Sequence, residues 1–117
     1  VVEPYAWYRL AVNRFVADEK DNEVANFLKF SLYTGRIEPN LIIYRLSFLA
    51  RYIAFFDDEL TGLFKDQIRL AWVLKRKQLV NIVINTPALK PYVYDALAPD
   101  NILAFNLRFD KTIKKTN

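Results

Sequence analysis

Leu41-Ile-Ile-Tyr-Arg-Leu-Ser-Phe-Leu-Ala-Arg-Tyr-Ile-Ala-Phe-Phe56 is the stretch whose reading decides the fold. It runs 16 residues and carries only Arg45, Ser47 and Arg51 as strongly polar side chains. A membrane-spanning helix wants roughly 20 predominantly apolar residues without such charges, so this segment belongs inside a globule. Glu38-Pro39-Asn40 opens it, with Pro39 in a first turn where its missing N–H costs nothing. The run therefore predicts a helix from Leu41 to about Phe55. Because that helix is apolar on almost every side, it is expected to be the central and most buried one.

Working outward, the chain punctuates itself as helices. Only Gly35 and Gly62 are glycine, and strand-type alternation is rare. A first helix is expected from Pro4 to about Ala17, with Tyr8, Ala11, Val12, Phe15 and Val16 at helical spacing. The acidic turn Asp18-Glu19-Lys20-Asp21-Asn22 leads to a second, Glu23 to Thr34, stopped by Gly35. Asp57-Asp58-Glu59 places carboxylates at a helix N-terminus, where the macrodipole favours them. A long fourth helix should follow from Leu60 or Leu63 to Ile84, with Gly62 breaking its first turn from the rest. Asn85-Thr86-Pro87 ends it. Two shorter elements, about Pro91–Leu97 and Asp100–Phe109, complete the domain. The expectation is an all-α, compact bundle of about five to six helices around the buried third, spanning residues 1–110 without a metal cluster, and a frayed basic tail over 111–117.

The chain has 117 residues, one domain's worth, and is 53% hydrophobic and 26% charged. That composition is too apolar for disorder and reads as a globular domain. Cys, His and Met are all absent. Without Cys there are no disulfides, thiolate nucleophiles or cysteine-held clusters, and without His the usual general base and metal ligand are missing. The lack of Met predicts that Val1 lies inside a longer chain or follows a removed tag. Nothing reads as a signal peptide, and the default location is cytoplasmic. The two glycines cannot make a phosphate-cradling loop, and Ser31 and Ser47 stand in no nucleophile motif. The acidic clusters at 18–21 and 57–59 sit at helix starts, so they read as caps rather than a metal site. No cofactor and no catalytic residue are expected.

Charge points elsewhere. Residues 1–60 carry 7 Lys/Arg against 9 Asp/Glu, whereas residues 61–117 carry 10 against 4. Such skew suits a polyanion or an acidic partner facing the C-terminal half. In the fourth helix Lys65, Arg69, Trp72 and Arg76 recur at i, i+4, i+7 and i+11 and fall on one stripe, flanked by Lys75 and Lys77. Cations on that face suit phosphates, and Trp72 suits stacking on a base; the alternative is a solvated basic face whose Trp covers the core edge. In the third helix Asn40, Tyr44, Ser47 and Arg51 share one face, and Arg45 shares a side with Tyr52. Those arginines must snorkel, pair with Asp57, Asp58 or Glu23, or reach a ligand. Arg36, just past Gly35, is a further candidate for phosphate.

The segment from Glu23 to Tyr44, an apolar helix ending at Gly35, a short turn with Glu38, then Leu41 to Ile43, resembles the helical C-terminal domain of the archaeal and eukaryotic primase large subunit. The helix Trp7 to Val16 falls where that family has its opening helix. The family's domain is held by an iron–sulfur cluster on four cysteines, and this sequence has none. It is thus similar to the cluster-free, non-catalytic third subunit of some crenarchaeal primases. That resemblance implies a subunit that assists primer initiation alongside catalytic and large primase chains. It would bind single-stranded DNA template and a nucleoside triphosphate through Lys65, Arg69, Trp72 and Arg76, with Arg36, Arg45, Arg51 and Tyr52 in support. The alternative from the residues is a helical interaction subunit, of a CRISPR or viral assembly for example, docking an acidic partner through its basic face.

Overall fold

The computed structural model describes residues 4–16, 22–36 and 38–116. Among them run seven α-helices: α1 Pro4–Val16, α2 Asn22–Thr34, α3 Pro39–Tyr52, α4 Asp58–Leu74, α5 Arg76–Asn85, α6 Lys90–Leu97 and α7 Ile102–Thr116. Short 3-10 turns, Ile53–Phe55 and Pro87–Leu89, link α3 to α4 and α5 to α6. No strand occurs among the described residues, so the all-α class stands, with more helices than the sequence predicts. No helix of the described residues is long and apolar enough to cross a membrane.

Helix α4 is the hub. Leu60, Phe64, Ile68, Ala71 and Trp72 form its buried stripe, and it packs on α2, α3, α5 and α6. Phe64 meets Phe56 and Tyr92 edge-on, with ring centroids 5.3 and 5.7 Å away. Its start is capped as the sequence predicts: an Asp57 side-chain oxygen accepts the Leu60 N–H at 2.7 Å. The neighbouring carboxylates are shared with α2, since the Lys29 ammonium lies 2.6 Å from Asp57 and 2.8 Å from Glu59. That ammonium holds both carboxyls below their usual range and is itself raised by them. The other acidic turn, Asp18 to Asp21, lies outside the described residues.

Helix α3 buries one face, Leu41, Ile42, Arg45, Leu46, Phe48, Leu49 and Tyr52, and turns Asn40, Tyr44, Ser47 and Arg51 outward. Seven of its 14 residues are buried, against six of 17 in α4, in keeping with the expected burial, although Tyr44 keeps 63% of its surface exposed. Gly62 sits inside α4 and does not separate its first turn.

Two expectations fail for a physical reason. The long fourth helix is broken at Lys75, whose backbone lies at φ −140°, ψ 47°. Continuing the stripe of α4 without a break would aim Lys75 and Gln78 at the core. The break re-phases the chain so that Leu79, Val80 and Val83 face inward instead. The tail is not frayed: α7 continues to Thr116, anchored by Phe105 against Trp72 and Phe109 at 5.9 and 5.8 Å. Tyr94 adds a hydroxyl bond to Asn106 at 2.6 Å, and the Lys90 ammonium sits 4.4 Å from the Phe109 ring centre.

Candidate nucleic-acid interface

The stripe expected along the fourth helix does not survive as a free cationic face. Lys65 is ion-paired with Asp95, which lowers that carboxyl's pKa. Arg69 donates to the Ala96 carbonyl at 2.9 Å and lies 3.8 Å from Asp66. Trp72 is only 3% exposed. Its ring packs on Phe105 and is roofed by the Arg76 guanidinium at 4.0 Å, while Arg76 donates to the Trp72 carbonyl at 2.9 Å. The indole closes the core beneath α7 and offers no face to a base. Arg36 is held by Asp66, at 2.8 and 3.2 Å through two of its nitrogens.

Two supporting candidates are buried. Tyr52 is 1% exposed and stacks on Phe48. Arg45 is fully buried and serves the fold: it donates to the carbonyls of Ser31 and Gly35, both at 2.6 Å, and to the Ser31 hydroxyl. Gln67 completes the arrangement by accepting from Arg45 at 3.4 Å and donating to the Arg36 carbonyl at 2.8 Å. A guanidinium at the C-terminal end of α2 meets the negative pole of that helix. Of the acids expected to pair with it, Asp57 is held by Lys29, and the side chain of Glu23 lies outside the described ones. Arg51 stays on the outer face of α3.

What the fold assembles instead lies between α5 and α7. Lys77 from the first turn of α5 joins Arg108, Lys111, Thr112 and Lys115 of α7 around one concavity of about 360 Å³. Arg108, Lys111 and Lys115 recur at i, i+3 and i+7, so a helix reaching Thr116 brings them onto one side. Asp110 projects roughly opposite at 100° per residue. Among the described residues none of the four groove cations has a carboxylate within ion-pair distance. Lys75 and Arg76 extend the positive surface over the start of α5, which no side chain caps and no acid accompanies. Unpaired N–H groups there add to the positive potential.

Sequence reasoning found Lys75, Arg76 and Lys77 but missed Arg108, Lys111 and Lys115. The signal was present in their helical spacing, but the expected last helix stopped at Phe109 and left Lys111 and Lys115 in the tail. Such a groove presents cations to an extended polyanion and lacks a clustered set of metal ligands: no group of three Asp or Glu converges among the described residues. No protein-family model matches the chain, and neither a curated protein nor a solved structure matches it.

Proposed function

We propose that this chain is a non-catalytic nucleic-acid-binding subunit that grips the phosphate backbone in the groove between α5 and α7. The observation that carries the reading is the convergence of Lys77, Arg108, Lys111 and Lys115 on one concavity without a carboxylate partner among the described residues. Cations left unpaired at close quarters repel one another, and a polyanion relieves that repulsion while releasing its own counterions. The specific form of the proposal is an accessory role in primer initiation within a primase-type assembly, with catalysis on a partner chain. Its support is the resemblance over Glu23–Tyr44, the segment that builds α2, its turn and the start of α3.

The test is fluorescence anisotropy of a labelled single-stranded oligonucleotide across salt. Four phosphate contacts on a single strand give a slope of about −2.8 in log affinity against log salt, or about 50-fold weakening between 50 and 200 mM. Lys111→Ala or Lys115→Ala should each flatten that slope by about 0.7, whereas Lys65→Ala should leave it alone. Binding insensitive to both groove variants would sink the proposal. One observation favours the second reading, an acidic protein partner: Leu103 and Leu107 on α7 are 72% and 65% exposed, and leucine has no use for phosphate.

A further inference from the structure

The outer face of α3, singled out by its Asn40, Tyr44, Ser47 and Arg51 pattern, is not used by the groove. Part of it forms a second cavity of about 300 Å³ with the α4–α5 junction, lined by Pro39, Asn40, Ile43, Tyr44, Lys75 and Gln78. The chemistry of these side chains is specific. Tyr44, 63% exposed as a residue, presents its ring on a helix whose inner face is packed. Pro39 and Ile43 add apolar surface beside it. Asn40 and Gln78 carry amides, each both donor and acceptor, and Lys75 carries a cation. None of the four polar side chains makes a hydrogen bond or ion pair with a described residue; the Tyr44 backbone carbonyl accepts from Tyr8 at 3.0 Å, and the two phenols interact electrostatically.

We propose that this cavity receives an unpaired nucleobase, stacked on Tyr44 with its edge read by Asn40 and Gln78, so that the ligand of the groove is single-stranded. This rests on the groove reading above. Lys75 lines the base cavity and Lys77, two residues on, lines the groove, so one strand can lay phosphates on α7 and turn a base onto α3. A flat ring, two amide edges and one cation match a nucleotide in shape, hydrogen bonding and charge. A duplex cannot use the cavity, because its bases are stacked inside the helix and must be extruded to reach a pocket. The volume is at the small end for ligand cavities, as a single base requires.

The experiment measures affinity for a dodecamer of thymidylate, for an abasic backbone of equal length and for a blunt duplex. The proteins are the wild type, Tyr44→Ala, Tyr44→Trp and Lys111→Ala. Tyr44 is exposed and its carbonyl survives substitution, so the variants should fold, which circular dichroism checks. The expected result is a 5- to 100-fold loss of thymidylate affinity in Tyr44→Ala, recovery in Tyr44→Trp, and no change on abasic backbone or duplex. Lys111→Ala should weaken all three ligands. Thymidylate affinity unchanged in Tyr44→Ala, while Lys111→Ala still weakens it, overturns the base site and leaves the groove standing. An equal loss on thymidylate and abasic backbone also overturns it, by showing that the ring supports structure alone. Wild-type protein that binds none of the three overturns both readings.

Discussion

Replacing Arg45 by Met tests whether the buried guanidinium fastens α2 to α3. Methionine nearly matches the length of the arginine stem, so the substitution mainly removes donors. The Ser31 carbonyl keeps the Gly35 N–H at 3.1 Å, but the Gly35 carbonyl loses its 2.6 Å bond and Gln67 loses its partner at 3.4 Å. A buried acceptor left without a donor costs about 1–3 kcal/mol, and two of them suggest a loss of about 3 kcal/mol. Apolar replacement of a buried ion pair can be neutral or stabilising when both partners go. Here the carbonyls stay, which fixes the sign as destabilising. Arg45→Lys keeps a cation at the end of α2 but satisfies fewer acceptors, so it should lose about 1–2 kcal/mol. Urea unfolding followed by circular dichroism reads both; with a slope near 2 kcal/mol/M, the Met variant's midpoint falls by about 1.5 M. A Met variant as stable as wild type, or more stable than the Lys variant, would refute the reasoning.

Gly62→Ala should stabilise the protein by about 0.5–1 kcal/mol, since Gly62 lies inside α4 and an added Cβ meets nothing within 4 Å; a lowered melting temperature would contradict this. Trp72→Ala should cost about 3–5 kcal/mol in chemical unfolding, because its ring fills space under α7, and an unchanged unfolding midpoint would place the ring outside the core. Acid should weaken the α2–α4 junction. The carboxyls of Asp57 and Glu59 are depressed in the folded state by Lys29, so their stabilisation is present above the unfolded carboxylate range and lost as pH falls below about 4. The Lys29 ammonium is raised, so its share persists until pH climbs past its ordinary 10.5. In thermal melts across pH, Lys29→Met should flatten the acid limb, and an unaltered limb would remove this pair from the acid response.

The third helix was legible because a long apolar run after Glu-Pro-Asn admits little else, and the Asp57 cap because carboxylates directly precede an apolar periodicity. The break at Lys75 was harder to read, since neither Gly nor Pro marks it. Only the phase of the buried stripe, which would drive Lys75 and Gln78 inward, argues for it. Residues Lys111 to Thr116 were misread because a basic, polar ending resembles a solvated tail. What makes it a helix is tertiary: Phe105 and Phe109 seat α7 on Trp72, and periodicity continues past them. The site erred in the same way. A stripe on one helix is a local pattern: Asp66, three residues before Arg69 on the same helix, was open to reading, whereas Asp95, the partner of Lys65, was set by the packing of α4 on α6. The groove needed α5 and α7 to meet, which no window of sequence contains.

The pairing of charges bears directly on why the groove exists. Most acids around α4 and α6 are paired across the fold: Asp57 and Glu59 with Lys29, Asp66 with Arg36, and Asp95 with Lys65. In residues 61–117, with Asp95 taken by Lys65 and Asp66 by Arg36, nine cations remain against two acids. Lys114 and Lys115 have a structural reason to be there, because cations complement the negative end of α7. Lys75 and Arg76 also stand at the C-terminal end of α4, where the negative pole and the Trp72 carbonyl and ring offset them, so Lys77 is the cation left at the positive start of α5 with no acid beside it. Ordinary selection for folding places Asp or Glu at such positions. A local rule broken at Lys77 fits the proposed groove, where an anion reaching from Lys75 across Lys77 to α7 would remove the cost.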